Sequence, residues 1–142
     1  MTIKETIHWL NQYKHIQREI RDIELRITQL RLKHAAPSAI SYSDMPKAHN
    51  NHDLSDYIAR LEEYEHLLID KHTACLALSV QYMMALDHLD REEAHVIKRF
   101  YMDGAKMIRI ADEIPCSERT AYYLKRSAVR KLAALNVCRP LQ

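Results

Sequence analysis

Apolar residues recur along most of this chain at the three- and four-residue steps of a helix buried on one side. From Ile3 to about His34 the spacing is helical, and from Tyr13 onward Ile16, Ile20, Ile23, Ile27 and Leu30 form a heptad seam. The period is lost over residues 35–53, where proline, serine, asparagine and histidine concentrate, so a polar loop is expected there. Asp53 is placed to cap a second long helix. Its seam runs through Leu54, Tyr57, Leu61, Tyr64, Leu68, Cys75, Leu78, Tyr82, Ala85 and Leu89, and only Lys71 interrupts it. Each seam spans roughly 45 to 50 Å at about 1.5 Å per residue. Folding the second back on the first sets Ile27 near Leu61, Ile20 near Leu68 and Tyr13 near Cys75. A parallel coiled coil between two chains satisfies the same heptads, so pairing within one chain and pairing between chains both stand.

After Leu89 the pattern changes to three short helices. The first carries Ala94, Val96, Ile97, Phe100 and Tyr101, and stops at Gly104, where a left-handed residue is needed. The second is expected from about Lys106 to Ile114, with Met107, Ile110, Ala111 and Ile114 on its buried side. Pro115 disfavours helical backbone at Ile114, and Ser117 can cap a third helix. In that helix Ala121, Leu124, Ala128, Val129 and Leu132 face inward. The reading is an all-α chain: a long antiparallel helical hairpin over residues 1–89, then a three-helix unit over residues 90–142.

Composition agrees with that class. One glycine and four prolines in 142 residues leave few of the turn residues that hairpin-rich sheets consume. The net charge of +2 says little, but its distribution says more: the first 36 residues and the last 53 are net positive, and the stretch between them is net negative. An acidic second helix can therefore lie beside a basic first one. Trp9, Leu25, Leu32, Ile58, Ile69, Leu76 and Met83 lie off the main seams, which implies more buried surface than one helix pair provides. A homodimer built on the long helices is the expected consequence.

Candidate catalytic chemistry is sparse. There is no glycine-rich phosphate loop, no ordered nucleophile, base and acid, and no converging set of carboxylates, so no enzyme and no cofactor are expected. His49 and His52 in the polar loop lack a third ligand at a metal-binding spacing. The three cysteines Cys75, Cys116 and Cys138 are scattered, which fits free thiols in a reducing compartment. No apolar run has the length of a signal peptide or a membrane span. A cytoplasmic protein without a membrane partner is expected.

The chemistry that does stand out is cationic. From Ser117 to Gln142 there are six Lys and Arg residues and one acid, Glu118. Two short helices joined by a tight turn, the second basic, make the pattern of a DNA-binding helix-turn-helix. With the third helix in a major groove, Arg119, Thr120, Tyr122 and Tyr123 approach base edges. Lys125, Arg126 and Arg130 lie further along, where phosphate contact is expected, and Lys106 and Arg109 reach the backbone from the supporting helix.

Leu89 to Leu132 resembles region 4 of the bacterial sigma factors. The shared features are the acidic start Asp90-Arg91-Glu92-Glu93, the Val96-Ile97 core, the supporting helix Ile108 to Ile114, and the run Ala128-Val129-Arg130-Lys131-Leu132. The whole chain resembles the sigma-region-4-like late-gene regulators of Gram-positive phages and prophages, the group around ArpU and RinA. The polar stretch Tyr42-Ser43-Asp44-Met45-Pro46, followed by Asp53, belongs to that likeness. The resemblance implies a transcription regulator that binds double-stranded promoter DNA, with RNA polymerase or a phage regulator as a further protein partner. Tyr122 and Tyr123 stand where sigma factors favour Arg, Glu and Gln, which implies a different base preference. Two other functions suit the same architecture: a small terminase-like DNA-packaging adaptor, and an antirepressor that uses the helical hairpin to bind another protein.

Overall fold

The structure is a computed structural model and describes residues 2–35 and 51–136, residues 51 and 52 by their backbone alone. Among the described residues all regular structure is helical. In chain order the elements are α1 (Ile3–Ala35), α2 (Asn51–Leu86), α3 (Arg91–Ile97), α4 (Met107–Glu113) and α5 (Glu118–Ala134). The chain is all-α, as its heptads and scarcity of glycine require.

α1 opens on a reciprocal cap. The Glu5 backbone N–H donates to Thr2 Oγ1 at 3.2 Å, and the Thr2 N–H donates to Glu5 Oε2 at 2.8 Å. That hydrogen bonding holds the Glu5 carboxyl below its usual range. The Thr-x-x-Glu spacing carries this signal in the sequence. At the other long helix the expected cap is displaced. α2 begins at Asn51, so Asp53 lies inside its first turn, where an acid complements the helix dipole instead of capping it. The helices also take up the ends of the expected polar loop, and its centre, with His49 and the 42–46 segment, lies outside the described residues.

The described residues fall into two compact units, one within Met1–Gln17 and Cys75–Gln142, the other within Arg18–Ala74. The boundary expected after residue 89 therefore falls inside the first unit. In that unit the ends of the long helices share a core with the short ones: Trp9, Leu10, Leu78, Tyr82 and Leu86 pack with Ile97, Tyr101, Ala128, Val129 and Leu132. Trp9, which the heptads left off the seam, belongs to this core. It is only 7% exposed, meets the Tyr82 ring edge-on at 4.6 Å, and its carbonyl accepts a hydrogen bond from the Tyr82 hydroxyl. The Tyr13 ring also lies beside that of Tyr82, centres 6.0 Å apart, and burial, followed by the neighbouring Cys75, raises the Tyr13 pKa.

In the second unit Ile20, Ile23 and Ile27 are buried. Lys71, the one break in its seam, forms an ion pair with Glu19 at 2.6 Å. Arg31 lies 3.6 Å from Glu65, His72 lies 4.0 Å from Glu24, and the rings of His34 and Tyr57 stack at 3.9 Å. These polar contacts are exposed and individually weak. Their value is in fixing which residues stand side by side. Of the other off-seam apolar residues, Leu25, Leu32, Ile58, Ile69, Leu76 and Met83 all remain at least 45% exposed.

The short helices follow the expected punctuation with one addition. α3 continues into a π-helical turn, Lys98–Met102, that the apolar spacing did not reveal. The wider turn ends with the Asp103 N–H bonded to the Lys98 carbonyl and the Ala105 N–H bonded to the Arg99 carbonyl. Gly104 makes that closure possible with φ of +69°. α4 buries Met107, Ile110 and Ala111 against Val96 and Ala121, forming a second apolar cluster.

Candidate nucleic-acid interface

The exposed side of α5 is built from its first residue. Ser117 accepts a hydrogen bond from the Thr120 N–H at 3.2 Å, which fixes where the helix starts. Ala121, Ala128, Val129, Leu132 and Ala133 are buried, so the helical repeat turns Arg119, Tyr122, Tyr123, Arg126 and Arg130 outward. Tyr122 is 43% and Tyr123 69% exposed, high values for rings of that size. With Glu118, the residues Arg119, Tyr122, Tyr123 and Arg126 line one continuous surface.

Two braces hold the short helices against one another. Lys131 Nζ donates to Glu93 Oε1 at 2.7 Å and to Asp90 Oδ2 at 3.3 Å, tying α5 to the start of α3. Arg99 donates to both oxygens of Glu113, at 2.7 Å and 3.0 Å, and Glu113 Oε2 also lies 2.8 Å from His95 Nε2. The Arg99 guanidinium, with His95 second, lowers the Glu113 pKa to about 2. Glu113 ends α4, so this contact fixes the supporting helix against α3 and its π-helical turn.

The acids of these short elements are thus partly committed to Lys131, Arg99 and His95. Arg119, Arg126 and Arg130, in contrast, form no ion pair with any described residue, and neither do Lys106 and Arg109. The outward face of α5 consequently carries positive charge without an internal counterion.

Not every expected contact residue is equally free. The Thr120 hydroxyl sits 2.8 Å from Ser117 Oγ, so it belongs first to the helix cap. Lys125 is half-buried, with its ammonium over the Phe100 ring at 3.9 Å and 5.6 Å from the centre of the Tyr101 ring. Burial, followed by the charges of Lys14 and Arg126, lowers its pKa. Lys106 and Arg109 are exposed on α4, but they do not line that α5 surface.

Lys14 was not anticipated. Its ammonium lies 4.8 Å from the centre of the same Phe100 ring, so two like charges converge on one aromatic pair. Nothing in the local spacing of α1 signals this. Among the described residues no three His, Cys, Asp or Glu side chains gather as metal ligands. Cys75 and Cys116 are free thiols, both half-buried, and Cys138 lies outside the described residues.

Comparison with protein-family models, curated proteins and solved structures gives no match. No described helix is long and apolar enough to cross a membrane.

Proposed function

We propose that this chain is a sequence-specific DNA-binding transcription regulator of the phage or prophage type, acting in the cytoplasm. In this reading α1 and α2 form an antiparallel hairpin that also holds two copies together. α4, the turn over residues 114–117 and α5 form the helix-turn-helix. A major groove about 12 Å wide admits a helix such as α5, whose 17 residues run about 25 Å. Arg119, Tyr122 and Tyr123 read base edges near its start. Arg126 and Arg130 neutralise phosphates, with Lys106 and Arg109 contributing from α4.

The observation that carries this reading is the uncompensated cationic face of α5, in which two exposed tyrosines stand among arginines that have no internal acid partner. A solvated surface helix gains from acids spaced between its bases. Here, beyond Glu118 at the capped start, α5 has none. Dimerisation is supported by the apolar side chains left exposed along α2, including Leu76 at 67% and Val80 at 52%.

The test is titration of the purified chain against fluorescent duplexes from its own upstream region and from neighbouring late genes. One duplex is expected to bind at least about a thousandfold more tightly than random DNA of equal length. Uniform weak binding to every duplex contradicts the proposal. A ring of many subunits, instead of a dimer, points to a packaging adaptor.

A further inference from the structure

Beside the α5 surface lies a pocket of about 430 Å³ with two chemically distinct parts. Its apolar part consists of Ile3 and Ile7 from the start of α1, Tyr101, Tyr122 and Val129. Its polar part consists of Lys125, Arg126 and Arg130, and no carboxylate among the described residues lines it. Ile3 is 47% and Ile7 36% exposed, so apolar surface stands wet at the opening. The volume falls in the roughly 300–1,000 Å³ range of small-molecule sites.

We propose that this pocket binds a small amphiphilic carboxylate, with an aliphatic body against the isoleucines and its head among the three cations. A nucleic-acid phosphate accounts for the cations but leaves the isoleucines without a purpose. A neutral apolar molecule accounts for the isoleucines but leaves the charges unanswered. The surroundings of Lys125 supply a further argument. Its ammonium has lost part of its water while facing Lys14 and Arg126, and an anion at this point offsets both costs.

The pocket shares Tyr122 and Arg126 with the α5 surface. An occupant therefore withdraws two side chains from DNA, which would make the carboxylate a releasing effector. This consequence rests on the DNA reading. The pocket itself does not.

The experiment uses octanoate, with octanol as the uncharged control, titrated into the full chain and followed by methyl NMR and calorimetry. Expected are saturable shifts confined to Ile3, Ile7 and Val129, and affinity for octanoate at least about fivefold above that for octanol, since a charged hydrogen bond is at stake. Arg130→Gln, at an exposed position, should remove that preference, and Ile7→Ser should weaken both ligands while circular dichroism confirms that the variants fold. Equal binding of octanol overturns the role of the cations. Non-saturating shifts spread over Leu76 and Val80 overturn the pocket, and so does selective binding of an acidic peptide with no response to octanoate. A parallel DNA titration separates the two claims. If no duplex binds, the DNA reading fails while the octanoate result still decides the pocket. If a specific duplex binds and octanoate does not displace it, the effector role is overturned.

Discussion

Lys131 Nζ lies 2.7 Å from Glu93 Oε1, joining the last turns of α5 to a carboxylate on α3 that is only 5% exposed. The second Glu93 oxygen is buried and has no hydrogen-bond partner among the described residues. The lysine is therefore the main compensation for a buried charge. Lys131→Met leaves Glu93 buried without its cation and should lower stability. Glu93→Leu combined with Lys131→Met should recover most of that loss, because exchanging both partners for apolar groups removes the desolvated charge. Urea unfolding of the wild type and both variants measures the difference.

The second brace should appear in the acid limb of stability. Glu113 is held at about 2 by Arg99 and His95, against an ordinary value of 4.5. A depressed folded-state pKa stabilises above the unfolded value, and that contribution is lost as pH falls from about 4.5 toward about 2. Thermal melts over that interval should fall more steeply for the wild type than for Glu113→Gln, which has no proton to take up. Parallel curves would mean that the contact does not hold α4 in place.

Trp9 offers a test of the core that joins the start of α1 to the short helices. Trp9→Ala removes a ring that is 7% exposed and packs edge-on against Tyr82, and should cost about 3–5 kcal/mol. Tyr82→Phe keeps the ring but deletes the hydroxyl bonded to the Trp9 carbonyl, and should cost about 1 kcal/mol. Denaturant unfolding followed by far-ultraviolet circular dichroism suits both.

These residues also show how far the chain could be read before its structure was known. Heptad spacing identified both long helices, and Gly104, Pro115 and Ser117 marked the ends of the short ones, because each depends on backbone preferences a few residues long. The outward side of α5 was legible for the same reason: once Ala121, Ala128 and Leu132 face inward, Arg119, Tyr122 and Arg126 cannot. What escaped depends on long-range neighbours. Trp9 lies off the seam because its ring and carbonyl meet Tyr82, 73 residues away on α2, and its core includes the short helices. The meeting of Lys14 and Lys125 over Phe100 brings together residues on α1, the π-helical turn and α5, and no periodicity encodes such an encounter.

The proposed dimer makes a separate claim on α2. Leu76, Val80 and Met83 are spaced by four and three residues and are each at least 50% exposed. Val80→Glu combined with Leu76→Glu should convert a dimer to a monomer in light scattering without lowering helical content. A wild type that is already monomeric at about 100 μM, well above the micromolar dissociation constants of even weak specific complexes, contradicts that part of the account.

In the proposed function the α5 face binds duplex DNA and divides its work between base reading and phosphate contact. The most direct test is the salt dependence of binding to specific and random duplexes, compared among the wild type, Arg119→Ala and Arg126→Ala. Arg126→Ala should weaken both duplexes and reduce the slope of log affinity against log salt by about 0.9, the loss of one phosphate contact. Arg119→Ala should narrow the gap between the two duplexes by about 1–3 kcal/mol. Salt slopes and specificity unchanged from wild type in both variants would contradict the account.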